Sequence, residues 1–171
     1  MMKQILLGIM LSITLLIFAA CGGGGDSVAP PAKTSATFKI TLSGSLGSSA
    51  ISGAGFTVTL PANVTPATTS GTTVAANVVT LSGIFSGSTI APVVTYTPAA
   101  VATPGSLQVT AASSAPAGAA TVGDIVTITL QLANGAAPAT ADFPLSSVSV
   151  IDTLGAPIAG ISAAVSGLAL Q

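Results

Sequence analysis

Histidine, tryptophan, arginine and glutamate do not occur in this chain, and cysteine occurs once, at Cys21. Each absence removes a chemistry. Without an imidazole there is no Ser-His-Asp or Cys-His relay, and a zinc site lacks the ligands it prefers. The only basic side chains among the 171 residues are Lys3, Lys33 and Lys39, so the clustered cations that nucleic-acid phosphates demand are missing. A polybasic membrane-binding surface is ruled out on the same ground. The acids are Asp26, Asp124, Asp142 and Asp152. A glycosidase needs two carboxyl groups flanking one bond, but Asp124 stands at the start of an alternating run and Asp152 opens a turn, both ordinary structural positions. There is no D-x-D-x-D calcium loop. The glycines at 22–25 do not open a strand–helix unit, as a phosphate loop would. The expectation is a protein that is not an enzyme, with no metal site and no cofactor.

What the chain does have begins at its N-terminus. Lys3 precedes an apolar run over residues 5–18, interrupted only by Gly8, Ser12 and Thr14. That length suits the core of a secretory signal and falls short of the roughly 20 residues of a spanning helix. Leu16-Ile17-Phe18-Ala19-Ala20-Cys21 resembles the lipobox of bacterial lipoproteins, with Phe18 in place of the usual Leu. The resemblance implies cleavage between Ala20 and Cys21, lipidation of Cys21, and anchoring by acyl chains at about 0.8 kcal/mol per buried methylene. It also gives a use to a cysteine that would otherwise be an odd thiol in an oxidising compartment. Gly22 stands where an Asp would signal inner-membrane retention in such lipoproteins. The implied location is therefore the cell envelope, at the outer membrane or cell surface. Residues 21–35, with four consecutive glycines and then Pro30-Pro31, read as a tether that is flexible at first and stiffer at its far end.

From residue 36 to 171 the pattern changes to short runs that are apolar at every second position. Phe38, Ile40 and Leu42 share one face, with Thr37, Lys39 and Thr41 on the other. Further strands are predicted at 55–60, 74–81, 90–97, 106–112, 124–132, 145–151 and 161–165, the run Val126-Thr127-Ile128-Thr129-Leu130-Gln131-Leu132 being the clearest. Between them lie Asn134-Gly135, suited to two positive φ angles, Pro104-Gly105, suited to a type II turn, and Asp152-Thr153-Leu154-Gly155, suited to a type I turn. Asn63-Val64-Thr65 matches a glycosylation sequon and is read as coincidence. No amphipathic helix is apparent. The fold expected is an all-β antiparallel sandwich.

Four segments carry a second resemblance: Gly53-Ala54-Gly55-Phe56-Thr57-Val58-Thr59-Leu60-Pro61, Gly105-Ser106-Leu107-Gln108-Val109, residues 123–132, and residues 142–155. Together they resemble the cohesin-type sandwich, which is related to some carbohydrate-binding modules. The resemblance implies a jelly roll of about eight to nine strands that binds protein partners, as cohesins hold calcium-loaded dockerins. Carbohydrate binding in polysaccharide breakdown is the alternative. Sugar-binding sandwiches, however, stack sugars on exposed aromatics. Beyond the signal this chain has only Phe38, Phe56, Phe85, Phe143 and Tyr96. Phe38, Phe56 and Tyr96 share the apolar register of their strands. Phe85, in Gly83-Ile84-Phe85-Ser86-Gly87, is the one candidate for an exposed ligand contact. A third reading, a structural subunit of a surface layer or filament, rests on the absence of lysine after Lys39 to guard exposed strand edges.

Overall fold

The computed structural model describes residues 31–171, and a compact unit spans Ala32–Gln171. Eleven strands form it: β1 (Ser35–Ser43), β2 (Ile51–Leu60), β3 (Val64–Thr65), β4 (Thr68–Ser70), β5 (Thr73–Val74), β6 (Val79–Leu81), β7 (Val93–Thr97), β8 (Gly105–Ala112), β9 (Asp124–Leu132), β10 (Leu145–Asp152) and β11 (Ser162–Leu170). Nine of them build two antiparallel sheets packed as a sandwich. One sheet runs β11-β1-β9-β3, with β6 also on β9, and the other runs β10-β2-β8-β7. β4 and β5 form a separate two-stranded ribbon. The chain passes repeatedly from one sheet to the other.

The alternation in the sequence is what places the core. In β1 the side chains at Phe38, Ile40 and Leu42 are buried, as are Phe56, Val58 and Leu60 in β2 and Ile128, Leu130 and Leu132 in β9. Their neighbours Thr, Ser and Lys face outward, because successive strand side chains point to opposite faces. Between the sheets Phe38 meets Phe143, with ring centroids 4.7 Å apart and planes tilted by 38°. This is a favourable offset contact between two aromatic rings. Phe143 lies just before β10, in the residue that follows the 3-10 turn Thr140–Asp142.

Several element boundaries differ from the periodicity. The run at 74–81 is two strands, because Ala75-Ala76-Asn77-Val78 folds into a turn closed by the Val78 N–H donating to the Ala75 carbonyl at 3.0 Å; Asn is a turn-former by its side chain. The strand predicted from residue 90 begins only at Val93, since Pro92 cannot donate to a ladder. β11 runs on to Leu170, past the predicted end at 165. Gly167 and Leu168 of β11 face the single residue Phe38 of β1 there, and Gly167 at φ 61° takes up the extra residue. Gly105 opens β8 and has no positive φ, so no type II turn forms there; the turn lies earlier, where Ala100 and Thr103 exchange backbone hydrogen bonds. Asn134 and Gly135 do take positive φ, at 52° and 71°.

Phe143→Ala is expected to destabilise the unit by about 3–5 kcal/mol in urea unfolding, with Phe143→Leu much milder. A loss below about 1 kcal/mol for the alanine variant would show that the inter-sheet contact does not hold β10 in place.

Candidate functional site

The two outer faces of the sandwich differ. On the five-stranded sheet, hydroxyls are tied to one another across strands: Thr37 to Thr129 at 3.2 Å, Thr41 to Ser166 at 2.7 Å and Ser43 to Ser162 at 2.9 Å. Among them sits the Lys39–Asp124 ion pair at 2.9 Å. Asp124 also accepts a 2.6 Å hydrogen bond from the Thr41 hydroxyl. The Thr41 hydroxyl, and then the Lys39 ammonium, hold the Asp124 carboxyl below the usual carboxylate range. This face is already satisfied by its own side chains, and cross-strand pairs of this kind fix register.

The four-stranded sheet presents a trough of about 540 Å³ instead. Its floor is Gly53 and Gly55 of β2, between β8 and β10; the missing side chain leaves the backbone open at Gly55, while the Ile151 side chain packs over Gly53. Gln108 and Thr110 of β8 form one wall. Ser147, Ser149 and Ile151 of β10 form the other. That second wall depends on a bulge. Between Ser146 and Ser149 β10 has one residue more than β2 opposite, and Ser147 adopts φ 52° to accommodate it. A bulge bends its strand and re-aims side chains, and such irregularities gather at binding sites. At the margins stand two exposed apolar residues, Val93 beside Thr110 and Ile151 beside Gly53, 68% and 37% exposed. No charged side chain lines the trough. Its volume falls in the range of small-ligand or peptide-segment sites. What it offers a ligand is neutral hydrogen bonding and a narrow apolar rim.

The residues singled out in the sequence are placed as follows. Ala20 and Cys21 lie outside the described residues. Phe85 is not an exposed contact: it is 1% exposed and belongs to the core. The physical reason is Gly83, which takes φ 51° and approaches Asp124 so closely that a Cβ there would lie 2.7 Å from the Asp124 Cβ. The 3-10 turn Gly83–Phe85 that follows swings the ring inward. Flanking glycines read as a loose loop, and here they serve close packing. Tyr96 is half-buried against the core. Asp142 accepts from the Ala139 N–H at 2.8 Å, and Asp152 from the Leu154 and Ala156 N–H groups at 2.8 and 2.9 Å. Both thus hold turns. Among the described residues no three of His, Cys, Asp or Glu come together. Asn63 of the sequon is itself in a left-handed conformation, at φ 62°, and accepts from the Asn134 side chain at 3.0 Å.

No protein-family model matches the chain, and no curated protein or solved structure does so either. The described residues form an all-β two-sheet sandwich.

A carboxyl held at lowered pKa binds fewer protons in the folded state than unfolded. Its contribution to stability is therefore complete above the ordinary value of 3.8 and is lost as pH falls through the folded value. Asp124→Asn should thus cost about 1 kcal/mol at neutral pH, a small figure because Lys39 is half exposed. The difference between parent and variant should stay constant down to about pH 5 and shrink below it. Denaturation series at several pH values check this; a difference that persists undiminished in strong acid would contradict it.

Proposed function

We propose that this chain is a lipid-anchored binding module of the cell envelope, non-catalytic, that holds a protein partner in the manner of a cohesin. One observation carries the reading: the glycine-floored, uncharged trough on the outer face of the β10-β2-β8-β7 sheet. A protein segment laid along it would find backbone-scale hydrogen-bond partners in Ser149, Thr110 and Gln108, and an apolar rim in Ile151 and Val93. Its side chains would meet no charge to select for or against. Among the described residues the phenylalanines at 38, 56, 85 and 143 are buried and Tyr96 is half-buried, so they offer no aromatic platform, which favours protein over sugar. The nine strands of the two sheets accord with the strand number that the cohesin resemblance implies. Support for the anchor comes from the sequence, in the apolar run at 5–18 and in Ala19-Ala20-Cys21. With Gly22 next in line, the module would sit at the outer membrane or cell surface, raised on the tether at 21–35.

The site can be blocked without disturbing the fold. A Cβ at Gly55 would meet nothing nearer than the Thr110 hydroxyl at 3.8 Å, an ordinary contact, and Gly55 does not need a positive φ. Gly55→Arg should therefore fill the trough and leave the thermal transition of the protein in place. With the full chain in detergent as bait, a calcium-containing pull-down from the source organism's secreted proteins should retrieve a protein bearing EF-hand loops. A chelator should release it, and Gly55→Arg should not capture it. Capture that ignores both calcium and Gly55→Arg would overturn the reading. Retention on insoluble polysaccharide, lost in Gly55→Arg, would replace the protein partner with a sugar.

A further inference from the structure

Two sandwiched sheets have four edges, and three of them are guarded here. β7 is five residues long and enclosed by Pro92 and Pro98, with β5 packed against it. β10 is interrupted by its bulge at Ser147, and its outward groups are taken up by residues 156–158: the Asp152 N–H donates to the Ala156 carbonyl at 2.9 Å and the Ile158 N–H to the Val150 carbonyl at 2.8 Å. On the far side of β9 stand β3 and β6, only two and three residues long. Short strands, prolines, bulges and covering segments are the usual protections against edge pairing.

β11 has less. It is nine residues long and contains no proline and no charged residue. Among the described residues its only strand partner is β1, and no backbone bond outside that ladder reaches it between Ser162 and Leu170. Its bulge at Gly167 leaves residues 162–166 as a regular run with an unpaired row of N–H and C=O groups. Such a row recognises one thing, another extended strand.

We infer that β11 pairs antiparallel with β11 of a second copy of this chain, about a two-fold axis through Ala164. The run is suited to its own image. An antiparallel register centred on Ala164 sets Ser162 opposite Ser166 and Ala163 opposite Val165. This matches outward with outward side chains and core-facing with core-facing, as any register centred on a residue does and one centred between residues does not, and the centre at Ala164 uses the whole regular run 162–166. Ala164 is exposed and small, so two copies meet on the axis without a clash. Charge does not oppose the contact, because β11 carries none. The same neutrality leaves nothing for a differently charged partner strand to read. Pairing of identical strands is isologous and closes at two copies, so the product is a dimer and not a filament. This edge belongs to the other sheet from the trough, and the inference does not depend on the trough's ligand.

In an antiparallel pair, residues directly opposite lie about 4.5–5.5 Å apart at Cα, within disulfide reach. The full chain carrying Ala164→Cys, mildly oxidised in detergent, should run as a disulfide-linked dimer on a non-reducing gel. The unsubstituted chain, and Thr95→Cys at the middle of the β7 edge, should not. Sedimentation should give a dimer for the unsubstituted protein and a monomer for Ala164→Lys, which sets two like charges face to face while its thermal transition is retained. Gly55→Arg should leave the dimer intact, which separates this result from loss of the binding partner. Ala164→Cys that cross-links no better than Thr95→Cys, or Ala164→Lys that still sediments as a dimer, would overturn the inference.

Discussion

Phe38 and Phe143 meet between the sheets, and much of the molecule follows from that contact. Phe38 is the largest buried residue of β1, a strand flanked by β9 on one side and β11 on the other. Phe143 arrives from the short turn ahead of β10. Holding its ring against Phe38 fixes where β10 starts, and Pro144 then accepts a hydrogen bond from the Thr59 N–H at 3.0 Å as the strand enters the sheet. From that start β10 must reach Val150, which is buried, and it does so only by taking an extra residue at Ser147. The trough wall is the result of that adjustment. Core and candidate site are thus linked by a single strand.

The second constraint is the scarcity of charge. A soluble surface is ordinarily kept wet and selective by lysine, glutamate and their kin. Here hydroxyls do it: they are linked in cross-strand pairs on one sheet, while on the other Thr110, Ser147 and Ser149 line the trough. The Lys39–Asp124 pair sits among the tied hydroxyls, and Asp124 lies beside Gly83 at the start of β9. A surface so built gives ionic partners little purchase. The proposed recognition, at the trough or along the β11 edge, would rest on backbone and hydroxyl groups.

How much of this could be read from residues alone varies by element. β1, β2, β8 and β9 were legible because their apolar residues recur strictly at every second position, and burial of one face enforces that spacing. Turns at Asn134-Gly135 and Asp152 were legible for the same local reason, since their side chains and φ preferences act within four residues. β3, β4 and β5 were not, being too short to carry a period. The burial of Phe85 is not legible in the sequence because it depends on how Gly83 packs against Asp124, forty-one positions further along the chain. The trough was invisible for a similar reason. Gly53 and Gly55 look like weak points of a strand until β8 and β10 are set on either side of them. Periodicity reports which face is buried, but not what the neighbouring strands leave open.

The central claim is that a sandwich with β1, β2, β8 and β9 at its interior is built on the alternation of apolar residues. Residue-resolved amide hydrogen exchange tests it most directly. The account predicts the slowest exchange in those four strands, faster exchange in β7, and the fastest in the β4–β5 ribbon. Exchange in β1 and β9 as rapid as in that ribbon would contradict it.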